Sequence, residues 1–474
     1  MAILSANNAY SIWPSVVPVN TPVELTVTPE TTFHLFAEGQ EYGIDIIPLH
    51  VDELDHQGPV MTLTPQGGML RFTYTFDAEQ EYLIRILEDE TTGRELTVYA
   101  LEEDLYALRP MKGEMHSHSY RSDGMVDPAA SHALYREHGY EFRALTDHNR
   151  YHPGREVAAA YDGVKLGIVL VQGEEIHAPD NDLHIVNAGG AASVTARYIL
   201  DEQAYRREVA EYLPRVPEEV PEKDRYRYAS CMWVCDQIHE AGGLAVYAHP
   251  YWQATGRAYQ TCDERLARLL LCSGMFDAME LVNGSACVGI NRLVNMWSEL
   301  RAECGLRIPV IGASDCHFFN PTQPTSQRRM GNMFTICFVE RADEKGLCDA
   351  IRDFRSVAVE ATGEEWNREH RCYGSLRLVS YAQYLLRAYY PRLQRLCQRE
   401  GIAMRDYAIG DGNKELLELL VEQSDRFRQR FFGQLPPPAI PEQVLEREKK
   451  WGGITIRKKY PVLVGDKEML FPLN

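Results

Sequence analysis

The sequence predicts an α/β protein in which repeated strand–helix units are preceded by a β domain and followed by a helical section. Three observations support this prediction. Residues 1–108 contain short runs of alternating apolar and polar residues, and residues 112–362 alternate apolar runs with amphipathic stretches. From about residue 365, apolar residues recur at helical spacing. We therefore expect domains at residues 1–108, 109–364 and 365–474.

The composition is that of a globular protein with more than one domain. Of the 474 residues, 45% are hydrophobic and 25% charged, which excludes disordered, collagen-like and coiled-coil classes. The 49 Lys and Arg residues against 68 Asp and Glu residues give a formal charge of −19. This charge argues against nucleic acid or an anionic membrane as the main partner. An anionic substrate would need a local positive centre, such as a metal cluster.

The sequence also predicts where the protein resides. It lacks the run of roughly 18 apolar residues that a membrane span requires. The N-terminal stretch MAILSANNAYSIWPS has neither the basic region nor the apolar run of a signal peptide. All 11 cysteines follow residue 230, and this odd, uneven set does not suit a disulfide framework. We expect a reduced, cytoplasmic protein.

The first section has the pattern of a small β-sandwich. Apolar and polar residues alternate in TPVELTVTP, MLRFTYTF, EYLIRIL and ELTVYAL, and PQGG and ETTG provide turns between them. No cluster of candidate metal ligands occurs in these runs. We expect this domain to serve packing or oligomerisation.

The middle section has the pattern of parallel strands in an open sheet or a barrel. Its apolar runs are EFRALTDHN, KLGIVLVQGEE, LHIVNAGG, GLAVYAHP, AMELVNG, IPVIGASD and FTICFVE. In each of the first six runs, a His, Asp, Glu or Asn stands at or just past the C-terminal end. Functional residues collect at the C-terminal ends of strands in parallel sheets and barrels. These strand ends are therefore the predicted functional site.

The last section is predicted to be mostly helical. SLRLVSYAQYLLRAYYPRLQRLCQRE and NKELLELLVEQSDRFRQRFF have apolar residues at helical spacing, and Pro391 should kink or restart the first helix. The stretch WGGITIRKKYPVLVGDKEMLF suggests a closing hairpin. We expect the helices to pack on the barrel or to form an oligomer contact.

The chemistry of the predicted site is that of a metal cluster. In GEMHSHSYRSDG, His116 and His118 would point to the same face of a strand, and Asp123 follows in a loop. Imidazole and carboxylate ligands together suit Zn²⁺, Mn²⁺ or Fe²⁺. Nine candidates exceed the needs of one tetrahedral ion, so two or three ions bridged by a carboxylate fit better. The further candidates are His148, Glu175 or its neighbour Glu174, His184, His249, Asp315 and His317.

Taken in order, these motifs resemble the PHP (polymerase and histidinol phosphatase) superfamily. HSHSYRSDG resembles its first motif and LTDHN its second, while GEEIH with His184, then AHP, ELVN and SDCH, resemble the remainder. The resemblance covers about residues 112–362. It implies a distorted (β/α)7 barrel with the metal cluster at the C-terminal ends of the strands. The preceding β domain is similar to that of the carbaryl-hydrolase-like branch, whereas the C-terminal helices lie outside the resemblance.

The resemblance implies a role for each candidate ligand. The expected groups are His116, His118 and Asp315 for one ion, Asp123, His148 and His317 for a second, His184 and His249 for a third, and Glu175 as the bridge. Glu175 is preferred to Glu174 because the family pattern is Gly, any residue, Glu. Relatives vary at the position of Asp123, which leaves two or three ions open. The residues expected to carry catalysis are Glu175, Asp315 and His249.

Three further residues are candidates for substrate binding. Asn283 in ELVNG ends a predicted strand, where it would hydrogen-bond substrate or a metal ligand. Arg328 and Arg329 follow the SDCH motif in the loop PTQPTSQRRMG, where their guanidinium groups would clamp a phosphate. The alternative for this pair is a solvated basic loop.

Three other residues are predicted to lie beside the ligands. Glu114 is interpreted as a residue that orients a ligand imidazole, with a solvated strand end as the alternative. Asp147, next to His148, is interpreted in the same way. His177 either lines the pocket or is a loop histidine, and the sequence favours the loop.

These observations predict a metal-dependent hydrolase, and a phosphoesterase acting on a small molecule in particular. A metal-activated hydroxide would attack phosphorus in line, and the ions would offset the charge on the phosphoryl oxygens. One alternative is a carboxylic or carbamic ester hydrolase with the same cluster, which the N-terminal β domain favours. The other is a non-catalytic metal-binding regulatory module, and the complete ligand set argues against it.

Overall fold

The computed structural model describes residues 9–49, 59–88, 93–252, 261–284, 289–317, 330–362, 368–451, 460–464 and 467–471. The chain divides into two compact units, one of residues 1–106 and 426–474 and the other of residues 107–425. The three domain boundaries drawn from the sequence remain predictions.

The described residues form strands in both units. They are β1 (Tyr10–Trp13), β2 (Val16–Pro18), β3 (Pro22–Pro29), β4 (Tyr42–Pro48), β5 (Met61–Leu63), β6 (Leu70–Thr75), β7 (Gln80–Leu87), β8 (Gly93–Leu101), β9 (Arg109–Glu114), β10 (Phe142–Leu145), β11 (Val169–Ile176), β12 (Ile185–Ala188), β13 (Leu244–Tyr247), β14 (Ala278–Asn283), β15 (Val310–Ala313), β16 (Met333–Val339), β17 (Ser356–Thr362), β18 (Glu369–Tyr373), β19 (Tyr460–Val464) and β20 (Lys467–Phe471).

The α-helices of the described residues belong mostly to the second unit. They are α1 (Glu103–Tyr106), α2 (Pro128–Glu137), α3 (Pro153–Ala160), α4 (Thr195–Leu200), α5 (Glu202–Tyr212), α6 (Arg225–Glu240), α7 (Glu264–Leu271), α8 (Ile290–Cys304), α9 (Glu344–Arg352), α10 (Leu376–Ala388), α11 (Tyr390–Ala408), α12 (Lys414–Phe431) and α13 (Glu442–Trp451). None of the helices in the described ranges is long and apolar enough to cross a membrane.

The first unit contains two sheets around one apolar core. Strands β1, β3 and β6 form one sheet, and β2, β8, β7, β4 and β5 form the other. Leu25 and Val27 of β3 belong to the same buried cluster as Ile84 and Ile86 of β7. Alternating apolar residues from two sheets thus meet in one core, which is the arrangement of a β-sandwich. Strands β19 and β20 pair antiparallel, as the predicted hairpin requires.

The second unit is built on one sheet of ten strands. Their order is β15-β14-β13-β12-β11-β10-β9-β16-β17-β18. The pairs β9–β10, β10–β11, β13–β14 and β14–β15 are parallel, as predicted. Strand β12 is antiparallel to both neighbours, and β16 is antiparallel to β9. The expectation of parallel strands was therefore wrong for the runs LHIVNAGG and FTICFVE.

The direction of β12 follows from the length of the connection before it. Only residues 177–184 separate the end of β11 from the start of β12, whereas a parallel crossover needs about a dozen residues or more. The chain must therefore turn back on itself. As a result, the start of β12 lies at the same end of the sheet as the end of β11, and His184 immediately precedes β12.

The sheet curls until β15, the strand at one edge, approaches β16 and β17. Thr335 Oγ1 of β16 donates to the Gly312 carbonyl of β15 at 2.8 Å, and Ser356 Oγ of β17 donates to the Val310 carbonyl at 3.0 Å. The sheet is therefore nearly closed and barrel-like. The structure confirms the mixed α/β class with a helical C-terminal part.

Helices α10 and α11 form part of the second unit. Helix α11 begins at Tyr390, so Pro391 lies in its first turn, as predicted. Arg136 of α2 and Glu400 of α11 form a buried ion pair with an N–O distance of 2.6 Å. A Cβ atom at Gly401 would lie 2.4 Å from the Glu137 nitrogen, so only glycine permits this close approach. This part of the helical section therefore packs on the barrel helices.

Candidate metal centre

The predicted ligands gather at one end of the sheet. Each strand that supplies them ends or begins there, and the C-terminal ends of parallel strands meet at one edge. The side chains come from the residues after β9 (His116, His118), after β10 (His148), near the end of β11 (Glu175), before β12 (His184), after β13 (His249) and after β15 (Asp315, His317).

The Glu175 carboxylate lies between two sets of imidazoles. Its Oε1 atom is 2.8 Å from His184 Nδ1 and 2.9 Å from His249 Nε2. Its Oε2 atom is 2.6 Å from His148 Nδ1 and 3.3 Å from His116 Nε2. The side chain is fully buried. A carboxylate whose two oxygens face different ligand sets has the geometry that a bridge between two ions requires.

Asp315 gathers the first predicted group. Its Oδ1 atom lies 2.9 Å from His118 Nε2 and 3.4 Å from His116 Nε2. The two imidazole Nε2 atoms are 3.1 Å apart. All three side chains are buried, and their donor atoms lie close enough together to hold one ion. The structure thus brings this group together as the sequence predicted.

Asp123 gathers the second predicted group at the solvent side of the cluster. Its Oδ1 atom lies 3.3 Å from His148 Nε2 and 3.2 Å from His317 Nε2. The Asp123 side chain is 57% exposed. His118 also belongs to this group. Its ring stacks on the His317 ring with a centroid distance of 4.1 Å and lies 4.3 Å from the His148 ring. His118 therefore lies where two ligand groups meet.

His184 and His249 form the third predicted group. His184 Nδ1 lies 3.3 Å from His249 Nε2, and both atoms face Glu175 Oε1. The Trp252 ring packs against both imidazoles, with centroid distances of 4.9 Å to His184 and 5.5 Å to His249. This aromatic side chain forms an apolar wall beside the pair.

The donor atoms fit divalent transition-metal ions. Glu175 Oε2 and Asp315 Oδ1 are buried, and neither takes part in a hydrogen bond of normal geometry within the described ranges. Buried carboxylate oxygens without donors are costly. Here they point at imidazole nitrogens, so oxygen and nitrogen atoms that can bind a metal converge. Imidazole nitrogen and carboxylate oxygen suit Zn²⁺, Mn²⁺ and Fe²⁺. The individual ligand roles remain predictions.

Two of the candidate ligands have left-handed backbone conformations. The φ angle is +25° at His249 and +50° at Asp315. Such conformations cost about 1–3 kcal/mol each for residues other than glycine, and they persist only where the surrounding structure imposes them. The fold therefore maintains strain at two positions that aim side chains into the cluster.

Glu280 of β14 supports two of the candidate ligands, and sequence reasoning missed it. Its carboxylate contacts His116 Nδ1 at 2.7 Å and accepts from the His249 backbone nitrogen at 2.8 Å. Asn283 Nδ2 donates to the same carboxylate at 2.6 Å. Asn283 thus supports Glu280, and its contact with substrate remains a prediction. The available signal was a charged residue inside the apolar run AMELVNG.

Glu114 does not hydrogen-bond a ligand imidazole in the structure. Its carboxylate accepts hydrogen bonds from Tyr135 Oη at 2.9 Å and Ser314 Oγ at 2.7 Å. The interpretation as a residue that orients an imidazole was therefore wrong. The alternative, a solvated strand end, was also wrong, because Glu114 is fully buried. Burial raises the pKa of Glu114 to about 8. The partner of His116 is Glu280 because the β9 side chain at position 114 faces α2 and the residue after β15.

Asp147 holds the loop that carries Asp123. Asp147 Oδ1 accepts from the Ser119 backbone nitrogen at 2.8 Å and from Ser122 Oγ at 2.7 Å, and Asp147 is buried. Asp147 thus hydrogen-bonds the loop after His118, whereas the sequence suggested that it would orient a ligand imidazole. The loop places Asp123 opposite His148 and His317.

Glu174 points away from the cluster. Its carboxylate accepts from the Val194 backbone nitrogen at 2.6 Å and from Ser193 Oγ at 2.8 Å. Neighbouring residues of a strand face opposite sides of the sheet, which separates Glu174 from Glu175. The geometry therefore supports the choice of Glu175 as the bridging residue.

Two further predictions have different outcomes. Arg328 and Arg329, the predicted phosphate clamp, lie outside the described residues. His177, which the sequence placed in a loop, lies at the cluster, with Nε2 2.8 Å from His148 Nδ1 and 3.5 Å from Glu175 Oε2. Its signal in the sequence was its position two residues after Glu175.

The imidazoles of the cluster differ in their proton affinity. Burial lowers the pKa of His118 and of His184 to about 3, so both rings are neutral at neutral pH. Burial also lowers the pKa of His148, but the nearby carboxylates Glu175 and Asp123 outweigh it and raise the pKa to about 10. Carboxylates likewise raise the pKa of His116 well above its usual value despite burial.

We expect metal binding near pH 7.5 to release protons. His116 and His148 have raised pKa values, so each holds a proton below its folded pKa and must lose it when an ion takes its place. The apparent metal affinity should therefore rise with pH through this region. Calorimetric titrations with Zn²⁺ in two buffers of different ionisation enthalpy measure the release. Identical heats in both buffers would contradict these protonation states.

The chain is similar to known proteins over parts of its length. No family model matches it. It is 25% identical over 127 residues to the DNA polymerase/3′-5′ exonuclease PolX of Bacillus subtilis, covering 26% of this chain and 22% of that protein. Among solved structures, a two-domain protein from Bacteroides vulgatus containing a predicted PHP-like metal-dependent phosphoesterase is 18% identical, with a TM-score of 0.36 over 53% of this chain and 65% of the other.

A second similar structure is an amidohydrolase from Chromobacterium violaceum with bound sulfate and no metal. It is 21% identical, with a TM-score of 0.29 over 44% of this chain and 88% of the other. The motifs of this chain resemble those of PHP-type proteins, and membership of that family remains a hypothesis. The chain spans about a fifth of the length of PolX. A relation to the carbaryl-hydrolase-like branch remains a hypothesis.

Proposed function

We propose that this protein is a metal-dependent phosphoesterase that holds two or three divalent ions in a barrel of the PHP type. The observation that carries this proposal is the position of Glu175. Its two oxygens face separate imidazole sets at 2.6–2.9 Å, which is the arrangement of a multinuclear site. The ligands come from several strand ends, where barrel enzymes hold their active sites.

The residues of this chain have distinct tasks in such a reaction. When bound, divalent ions lower the pKa of coordinated water and polarise substrate oxygens. The neutral rings of His118 and His184 present free lone pairs for binding. Glu280 fixes the ring of His116 through its side chain and the position of His249 through its backbone. Trp252 packs its ring against His184 and His249 on one side of the cluster.

With three divalent ions bound, the charge of the site would favour an anionic substrate. Four carboxylates contact the imidazoles, namely Asp123, Glu175, Asp315 and Glu280. Two divalent ions would leave the centre close to neutral, and three would leave it positive. A positive centre in a chain of charge −19 attracts a phosphoester where the average field repels it. The match to PolX, named an exonuclease, also supports phosphoester chemistry.

The substrate is proposed to be a small molecule, and the protein is proposed to act in the cytoplasm. A carboxylic or carbamic ester hydrolase would use the same ligands on a carbonyl carbon. A non-catalytic metal-binding module would need only the ions. Measuring hydrolysis of phosphoesters and of a carboxylic ester distinguishes both alternatives from the proposed function.

We expect the Mn²⁺- or Zn²⁺-loaded protein to hydrolyse at least one phosphoester. The test compares 4-nitrophenyl phosphate, bis(4-nitrophenyl) phosphate and 4-nitrophenyl acetate, which release the same chromophore. A preference of about a hundredfold in kcat/KM corresponds to about 2.7 kcal/mol of transition-state stabilisation. Removal of metal with a chelator should abolish the activity. Turnover of the acetate alone would favour the ester hydrolase, and full metal content without any turnover would favour the non-catalytic module.

A further inference from the structure

We propose that His177 is a metal ligand, binding through Nε2 the ion that Glu175 Oε2 and His148 Nδ1 also face. This inference rests on the proposed metal cluster and adds a residue that the family motifs do not include. The sequence favoured a loop histidine at this position. Three distances carry the proposal, namely 2.8 Å from His177 Nε2 to His148 Nδ1, 3.5 Å to Glu175 Oε2, and 2.6 Å from His148 Nδ1 to Glu175 Oε2.

The three donor atoms lie as close together as ligands around one ion, or closer. Nitrogen and oxygen ligands bind Zn²⁺ at about 2.1 Å, so neighbouring ligand atoms of a tetrahedral site are roughly 3.4 Å apart. The separation of 3.5 Å between His177 Nε2 and Glu175 Oε2 is at this value, and the other two, 2.8 and 2.6 Å, are shorter. Small outward rotations of the side chains therefore bring all three donor atoms to one ion. The three atoms also form a group compact enough for metal binding.

The backbone at His177 is held in place by Asn149. The His177 backbone nitrogen donates to Asn149 Oδ1 at 2.9 Å, and Tyr198 Oη donates to the same oxygen at 2.6 Å. The Asn149 nitrogen donates in turn to the Glu175 carbonyl at 2.8 Å. Asn149 directly follows His148 and has a φ angle of +52°. One residue thus ties together the segments that carry all three donor atoms, as a preorganised site requires.

The ring of His177 also has a fixed orientation. It stacks on His184 with a centroid distance of 3.5 Å and an interplanar angle of 20°. His184 faces Glu175 Oε1, while His177 faces Oε2. The two stacked rings therefore each lie next to a different oxygen of the Glu175 carboxylate. The His177 side chain is 29% exposed, so an ion bound by it would lie at the solvent side of the cluster.

The rival role for His177 is a hydrogen bond that orients His148. A neutral imidazole has one nitrogen with a free lone pair, and His148 also presents Nε2 to Asp123 at 3.3 Å. If His148 binds an ion through Nε2, its Nδ1–H donates to Glu175 or to His177. In that arrangement His177 Nε2 accepts the hydrogen bond from His148 Nδ1–H and contacts no ion. The two roles predict different effects of substitution.

The test compares His177→Ala, His177→Gln and a matched control, His152→Ala. His152 is a nearby histidine with a 55% exposed side chain, and it belongs to none of the metal-binding groups found in the described ranges. Metal content is measured by elemental analysis after equilibration against a chelator that buffers free Zn²⁺. The absorption spectrum of the Co²⁺-substituted protein reports the ligand set independently of activity.

We expect both His177 variants to bind one ion at least about tenfold more weakly and to show a changed Co²⁺ spectrum, while His152→Ala matches the wild type. Retention of wild-type affinity and spectrum by His177→Ala would overturn the proposal. Wild-type behaviour of His177→Gln alone would also overturn it, since an amide oxygen replaces a hydrogen-bond acceptor better than a metal ligand. A wild-type protein that binds no metal would instead refute the proposed function.

Discussion

Glu175→Gln is expected to lose metal and to lower kcat/KM on the best substrate by about a thousandfold, which corresponds to about 4 kcal/mol. The amide keeps the shape of the side chain but removes its charge and one oxygen donor. Because Oε1 and Oε2 face different imidazole sets, the change affects both sides of the cluster. Elemental analysis and steady-state kinetics measure the two effects.

Glu174→Gln is the matched control for this variant. Glu174 is equally buried, but its carboxylate accepts from the Val194 nitrogen and from Ser193 Oγ on the other face of the sheet. The amide oxygen can still accept one of these hydrogen bonds. We expect wild-type metal content and a loss of stability of about 1–3 kcal/mol, seen in thermal unfolding. Equal metal loss in the two variants would reject Glu175 as the bridge.

His118→Ala is expected to have the second largest effect. His118 Nε2 lies 2.9 Å from Asp315 Oδ1, and its ring also belongs to the group of Asp123, His148 and His317. The truncation therefore removes a donor from the point where two groups meet. We expect weaker binding of at least one ion and a fall in kcat/KM of about a hundredfold or more, about 2.7 kcal/mol.

His132→Ala separates this effect from a simple loss of packing. His132 of α2 is also buried, and burial lowers its pKa to about 3, as at His118. It belongs to none of the metal-binding groups that the described residues form. We expect His132→Ala to unfold at a lower temperature and to keep its metal. If His118→Ala also kept its full metal content, the assignment of His118 as a ligand would be wrong.

The sequence alone predicted which side chains would gather and at which end of the sheet they would lie. Imidazoles and carboxylates lie at the ends of the apolar runs that become β10, β11, β13 and β15. Because the C-terminal ends of parallel strands meet, the order of the motifs was enough to place these residues together. Residue type and strand periodicity are local properties, whereas the preference for Glu175 over Glu174 came from the family pattern of Gly, any residue, Glu.

The tertiary structure decided which atoms face one another. The pairing of His116 with Glu280 joins residues 164 positions apart, and no local pattern selects Glu280 over Glu114 for this contact. The antiparallel direction of β12 brought His184 to the cluster. Asn149 placed His177 beside His148 by hydrogen bonds across two loops. Such contacts depend on how strands pair and loops close, because distances between side chains follow from packing in space and not from spacing along the chain.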